Sequence, residues 1–298
     1  MKHLVTAALP YVNNTPHLGN LVHLISADIY ARYLRLTDDD VISVCGTDEH
    51  GTTTELLARE KHVSPQELVD HYYERHKDIY DWFNLDFDCF GRTSSQTNHD
   101  HTQQIFNALD DAGYITEKTT EQLYDEQANQ FLPDRYVEGT CPECGYDDAN
   151  GDQCEQCNEL LETTELVNPV STLTGTTPVT RETTNLYLDL ESLQDSLEER
   201  FDDVANDWSA NAAETTKAWF KDGLEPRAIT RDLDWGVQVP KDGFQDKVFY
   251  VWFDAPIGYI SITEDSRDDW ADWWHNDHNV HLTQFMGKDN IPFHTVMF

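Results

Sequence analysis

The chain has 298 residues and 39% hydrophobic content, enough for one large domain or two packed ones, and no apolar run nears the roughly 18 residues of a membrane span. Twenty basic against 56 acidic residues give a formal net charge of −36. The acids are spread along the chain among 8 Trp, 13 Tyr and 13 Phe, which excludes a disordered acidic tail and reads as a halophile's surface, screened at molar salt.

The first twelve residues run into "LPYVNNTPH" without a small-residue cleavage site, so a cytoplasmic protein is expected. Residues 3–9 ("HLVTAAL") read as a short buried strand. Thr15 and Pro16 then read as the N-cap and first position of a helix, with Leu18, Leu21, Val22, Ile25 and Ile29 on one buried face. Its first turn holds His17, Gly19 and Asn20, none of them needed to start a helix. His17 and Asn20 are three apart and face the same way where a helix start attracts anions, and Gly19 leaves room for a flat ring or phosphate.

Residues 41–45 ("VISVC") read as a second buried strand, ending in "GTDEHGT". Helices are expected in "TTTELLAREKH" and in "SPQELVDHYYERHKDIYDWF", the latter opened by Ser64–Pro65 with Glu67 at the capping-box position. This order predicts a Rossmann-like, doubly wound parallel α/β sheet with ligands at the carboxyl ends of its strands, which His17 and Asp48 both follow. Between about 116 and 228 the chain shows short segments, clustered cysteines and Thr-rich turns, the mark of an inserted domain. Strands are expected again at 247–256 and 280–289.

"CPECGYDDANGDQCEQC" sets Cys141, Cys144, Cys154 and Cys157 as two C-x2-C hooks, each closed by a tight turn with a residue such as Gly145. Four thiolates at this spacing suit a tetrahedral, structural Zn2+ with no position left for substrate. Cys45 and Cys89 read as core residues. The polar stretches 97–104, 273–281 and "DEHGTTTE" lack metal spacing and read as surface.

"AALPYVNNTPHLGNLVH" resembles the first signature of the class I aminoacyl-tRNA synthetases, and specifically of the methionyl-tRNA synthetases, whose archaeal and eukaryotic forms commonly show Asn at the position of Asn20. The resemblance continues through "CGTDEHGT", "FLPDRYVEGTCPECG", "GDQCEQC", "FYVWFDAPIGY" and "GKDNIPFH", in the family's order, and points to the archaeal, halophilic type. It implies a catalytic domain whose first half is 1–115, an inserted connective domain at 116–228 with a zinc knuckle at 141–157, and a second half at 229–298. The family's second signature, Lys-Met-Ser-Lys-Ser, and its helical anticodon-binding domain are expected beyond "GKDNIPFHTVMF", so this N-terminal catalytic portion alone is expected to be poorly active.

The activity implied is methionine–tRNA ligase: activation of methionine with ATP and Mg2+ to methionyl-adenylate, then transfer to tRNA(Met), whose 3′ end meets this region. The substrate carboxylate is the nucleophile, so catalysis is positioning plus charge stabilisation. By resemblance His17 and Asn20 are catalytic and, with Gly19 and Lys288, bind ATP. Asp48 takes the methionine ammonium. Ala8, Leu9, Tyr11, Trp252, Ala255, Pro256, Tyr259 and His294 build the methionine pocket, with Tyr11 or His294 donating weakly to the thioether. Arg231 and Asp289 are further candidates. Asn290 stands where bacterial members place isoleucine at the pocket edge, and no role is assigned to it. The competing reading is a truncated, non-catalytic fragment or paralogue that keeps only methionine or RNA binding.

Overall fold

The computed structural model describes residues 2–37, 40–151, 154, 156–157, 161–275 and 279–298. Strand β1 (Lys2–Ala7) is followed by α1 (Leu18–Arg35), β2 (Asp40–Thr47), α2 (Thr52–Lys61), α3 (Pro65–Trp82), β3 (Cys89–Arg92) and α4 (Gln96–Asp111). Next come β4 (Ile115–Asp125), β5 (Gln130–Phe131), β6 (Val137–Thr140), β7 (Ala149–Asn150), β8 (Val167–Ser171), β9 (Val179–Leu188), α5 (Leu190–Val204), α6 (Ala210–Asp222) and β10 (Arg227–Ala228). The chain returns through β11 (Thr230–Arg231), β12 (Val248–Phe249), α7 (Val251–Asp254), α8 (Gly258–Ser266), α9 (Ala271–Trp274), β13 (Val280–Phe285) and α10 (Ile291–Thr295).

Four parallel strands form the expected sheet in the order β13–β1–β2–β3. Because side chains alternate along a strand, Leu4, Ile42 and Val44 face Tyr259 and Ile262 of α8. Val5, Ala7, Val41 and Cys45 face Leu21, Leu24 and Ala27 of α1. Strand β1 has its sequence neighbour β2 on one side and the distant β13 on the other. The winding reverses there, and such reversals leave a crevice at the strand ends. Cys45 and Cys89 are buried core residues, as expected.

Several local expectations fail for identifiable reasons. Helix α1 begins at Leu18 with His17, not Thr15, as its N-cap. Leu18, Val22 and Ile29 are 75%, 64% and 61% exposed, while Leu21, Leu24, Ala27, Ala31 and Leu34 are buried. The helix carries two apolar stripes of the same spacing, and packing against the sheet selects the one containing the small alanines. Residues 247–256 are a strand only at Val248–Phe249; then Phe253 N–H donates to Tyr250 C=O (2.8 Å) and Ala255 N–H to Val251 C=O (2.9 Å). A short, nearly continuous apolar run has no periodicity that separates strand from helix.

The polar stretches read as surface are mostly not. Asp48, Glu49, His50, Thr54, Glu55, Asn98 and Thr102 are each under 5% exposed, since partners far away in sequence satisfy most of them. Within 273–281, Trp273 is buried, His281 is exposed, and residues 276–278 lie outside the described residues.

In the middle of the chain β4 and β9 pair antiparallel from Ile115↔Leu188 to Tyr124↔Val179, and β7–β6–β8 form a small separate sheet. One core joins Leu186, Leu190, Phe201 and Phe220 from this region to Phe106, Phe249 and Phe253. The buried Lys247 ammonium, bonded to Asp232 and to Thr183 Oγ1 (2.8 Å), ties the returning chain to β9. No helix among the described residues is long and apolar enough to cross a membrane.

Candidate active site

The loop after β1 is drawn across the crevice by backbone bonds to the end of β2: Asp48 N–H donates to Pro10 C=O (2.9 Å) and Val12 N–H to Asp48 C=O (3.1 Å). His23 Nε2 holds Ala8 C=O (2.9 Å) and His76 Nε2 holds Asn14 C=O (3.0 Å). Burial lowers the pKa of both imidazoles, so they are neutral donors.

A cavity of about 60 Å³ lies beneath this loop. Ala8, Leu9, Tyr11, Asp48, Trp252, Ala255, Pro256, Tyr259 and His294 all line it, so every residue expected in the amino-acid pocket is brought to one place from four stretches of sequence. Asn290 and Phe293 line it as well. Sequence reasoning left Asn290 without a role and missed Phe293. The signal was available, because Asn290, Phe293 and His294 share one side of a helical turn; in the structure the Phe293 ring lies tilted against Trp252, 4.1 Å between ring centres.

The polar groups of the cavity have distinct jobs. Trp252 Nε1 donates to Tyr11 Oη (3.0 Å), which leaves the phenolic hydrogen of Tyr11 free to donate inward. Desolvation of that hydroxyl and the nearby Asp48 charge raise its pKa, keeping it protonated. His294 cannot donate to a thioether as expected: its Nδ1 bonds Asn290 C=O (2.8 Å) and its Nε2 bonds Tyr259 Oη (2.8 Å). With Nδ1 donating, Nε2 accepts from the tyrosine, and burial holds the ring neutral.

Asp48 is the anomaly. It is 4% exposed, and its Oδ1 has no hydrogen-bond partner among the described residues. Burial, then the charges of Asp254 and Glu49, push its pKa well above the usual carboxylate range. Its neighbour Glu49 is also fully buried but is satisfied by Thr47 Oγ1 (2.8 Å), Arg92 Nε (2.8 Å) and Ser94 Oγ. Asp48 therefore offers a buried carboxylate oxygen that, among the described residues, is left without a partner.

Next to this cavity a second cleft of about 360 Å³ is lined by Asn13, Asn14, Asn20, Thr52, Thr53, Arg135 and Tyr250. Gly51, the N-cap of α2, sits here at φ +99, a conformation that side chains disfavour. Asn20 is the expected nucleotide residue that this cleft takes up. Of the described residues, His17, Gly19, Arg231, Lys288 and Asp289 line neither cavity. Lys288 and Asp289 are exposed after β13, and the Arg231 guanidinium stacks 3.9 Å over Tyr250.

At the start of α1, His17 Nδ1 accepts from Asn20 N–H (3.4 Å) and Asn20 Oδ1 from His17 N–H (3.1 Å), a reciprocal capping box. A Cβ on Gly19 would sit 2.8 Å from the His17 ring. The glycine thus makes room first for the imidazole, whose Nε2 is left facing solvent.

The four cysteines form a second site. Their sulfurs all lie within 4.8 Å of one another, with Cys144···Cys154 at 3.6 Å and Cys141···Cys157 at 3.8 Å. Tetrahedral zinc with bonds of about 2.3 Å sets sulfurs roughly 3.8 Å apart, so the cluster fits the ion. Gly145, at φ +75 with its N–H on Cys141 C=O (3.0 Å), closes the first hook as expected.

Comparison with known proteins agrees with this geometry. The sequence profile of the tRNA synthetases class I (M) matches residues 3–298. The methionine–tRNA ligase of Treponema denticola is 54% identical over 303 residues, covering 100% of this chain and 38% of that protein. The cytoplasmic methionine–tRNA ligase of Arabidopsis thaliana is 53% identical over 300 residues, covering 99% of this chain and 38% of the relative. This chain thus spans about two fifths of the length of such relatives. The crystal structure of Mycobacterium tuberculosis methionyl-tRNA synthetase bound by methionyl-adenylate superposes with a TM-score of 0.73 at 25% identity, over 100% of this chain and 54% of that one. On fold, on profile and on identity along its whole length, this chain belongs to the class I aminoacyl-tRNA synthetases of the methionyl group.

Proposed function

We propose that this chain carries the amino-acid-activating region of a methionine–tRNA ligase, which joins methionine to ATP as methionyl-adenylate and passes the methionine to tRNA(Met). The observation that carries this reading is the buried Asp48 carboxylate, whose Oδ1 has no hydrogen-bond partner among the described residues, in a cavity walled by Tyr11, Trp252, Pro256, Tyr259 and Phe293. A methionine side chain suits the aromatic walls, where a polarisable sulfur gains favourable ring contacts. Its ammonium supplies the charge that Asp48 lacks. The methionyl-adenylate named in the Mycobacterium structure supports placing the nucleotide in the adjoining cleft.

In this reading Asn20 and the outward Nε2–H of His17 donate to the phosphates of ATP·Mg2+ as charge builds on the leaving pyrophosphate. Lys288, Arg231 and Asp289 serve ATP or the amino-acid backbone from the rim. Residues 116–228 act as the connective domain, and the four cysteines hold one structural Zn2+ there. Elemental analysis of protein purified without chelator is expected to give close to one zinc per chain; a value near zero removes that site. The tRNA reaches this region by its 3′ end, through local contacts strong enough to offset a net charge of −36.

The protein works in the cytoplasm of a salt-rich cell, and the thermal midpoint is expected to rise steeply from dilute buffer to molar potassium chloride. A flat or falling curve removes the halophilic reading. The function itself is tested with a non-hydrolysable sulfamoyl analogue of methionyl-adenylate. It is expected to bind far more tightly than methionine alone, because it engages pocket and helix start together. The leucyl analogue is expected to bind much more weakly, and equal binding of the two would overturn the assignment.

A further inference from the structure

Three residues of the amino-acid cavity, Asn290, Phe293 and His294, lie on α10 or cap it, and α10 is only five residues long. A helix this short does not hold itself in water, so its neighbours decide where its side chains stand. His294 is fixed by its bond to Tyr259. The Phe293 side chain has no hydrogen-bonding group, so packing alone places its ring. Trp252 lies against it at 4.1 Å between ring centres, and both line the cavity.

A second ring against Phe293 comes from the middle of the chain. Trp219 on α6 meets it edge-on, at 6.5 Å between ring centres and 77°, within the range of favourable aromatic pairs. Trp219 itself lines neither cavity. The exposed Arg227 guanidinium lies 5.1 Å over the Trp219 ring. Thr216, three residues before Trp219, is fully buried and donates to Thr295 Oγ1 at the end of α10 (2.8 Å). Thr295 in turn donates to Ile291 C=O (2.9 Å). Positions three apart on a helix share a face, so one face of α6 meets α10 at both residues.

Helix α6 is well anchored. Ser209 Oγ accepts from Ala212 N–H at its start (3.2 Å). Gln194 of α5 accepts from Leu224 N–H (2.8 Å) and donates to Phe220 C=O (3.1 Å) at its end. Phe220 is the residue sunk in the core, while Trp219 stands half-buried at the edge of that core. A bulky ring kept there, against a cavity wall and under a cation, fits a brace better than core filling.

We propose that Trp219 is a positioning residue for amino-acid recognition: backed by Arg227, it sets how far the Phe293 ring stands into the cavity, and so how long a side chain the pocket accepts. The proposal rests on the methionine reading above. No covalent step is involved.

The test titrates the chain calorimetrically with methionine and with ethionine, whose side chain is one methylene longer. Both bring the same ammonium and sulfur, so their ratio reads the wall apart from the rest of the pocket. The unaltered chain is expected to prefer methionine by about tenfold or more. Trp219→Ala is expected to weaken methionine roughly three- to tenfold and ethionine by less than about twofold, so the preference falls. Trp219→Phe, which keeps a ring against Phe293, is expected to keep most of the preference. Arg227→Met, at an exposed position where folding is at little risk, is expected to lower the preference by about twofold, and it decides the matter if Trp219→Ala does not fold. Equal losses for both ligands would mean that Trp219 merely supports the fold. An unchanged preference would mean that Phe293 is placed without Trp219 and Arg227; both outcomes overturn the proposal. Failure of the unaltered chain to bind methionine would instead overturn the methionine reading, and this inference with it.

Discussion

The amino-acid pocket and the helix start beside it are built on opposite terms. The pocket is finished: its walls come from residues 8–11, 48, 252–259 and 290–294, and the Tyr259 hydroxyl and the His294 imidazole are committed to one another. The start of α1 is open: His17 and Gly19 are exposed, and the His17–Asn20 capping box satisfies the helix by itself. Selecting methionine by shape needs rigid walls, since a missing methylene is worth only about 1–3 kcal/mol in an apolar pocket. Stabilising a triphosphate needs donors that water can leave, and an exposed helix terminus provides them.

The largest expected effect falls on the pocket. Asp48→Asn is expected to reduce methionine affinity by more than about 100-fold, because breaking a buried charge pair costs roughly 3–5 kcal/mol. The same change is expected to stabilise the empty protein. A carboxyl whose folded pKa is raised binds its proton more tightly when folded, so stability is lost as pH rises from the ordinary carboxylate range through the raised value. Asparagine, which does not ionise, escapes that penalty. A melting temperature that falls in Asp48→Asn would show that Asp48 serves the fold instead of the ligand.

Trp252→Ala comes next, with methionine binding weakened by roughly 2–4 kcal/mol if the ring forms a wall against the ligand. Trp252 is 39% exposed, so thermal stability should change far less than binding. Calorimetric titration and a melting curve on one preparation measure both, and unchanged affinity in a folded variant would remove Trp252 from the pocket.

On the other side of the comparison, Asn20→Ala is expected to leave methionine affinity unchanged. It should lower stability by about 1 kcal/mol through the lost capping bond, and weaken the adenylate analogue. Loss of methionine binding in this variant would merge the two regions that the structure keeps apart. The smallest change is Gly19→Ala, whose Cβ must push the His17 ring off its cap, with an expected stability loss of up to about 1 kcal/mol. An unchanged melting temperature would mean that the ring's position contributes nothing.

What the sequence made legible follows the range of the interactions involved. The strands β1, β2 and β13 and the Ser64–Glu67 capping box are local patterns, and each stands close to where its residues place it. The cysteine cluster was legible for the same reason, since spacing alone defines a hook. The true cap of α1 was not, because a histidine ring that caps looks no different in sequence from one that binds.

Least legible were the buried polar residues. His50 and Asp254 are 204 positions apart, and nothing near "DEHGTTTE" announces that a carboxylate from the far end of the chain will cover it. Of the candidate site, the pocket walls were read through family resemblance. The committed state of His294 was not legible, because its partners, Asn290 C=O and Tyr259 Oη, are set by the fold.

One measurement bears most directly on the central claim that Asp48 waits for an ammonium: calorimetric titration of the chain with methionine from pH 5 to 8. The account predicts a single site per chain whose affinity falls as pH is lowered through the raised pKa of Asp48, with Asp48→Asn binding weakly and without pH dependence. Affinity independent of pH, equal in the chain and in Asp48→Asn, would contradict it.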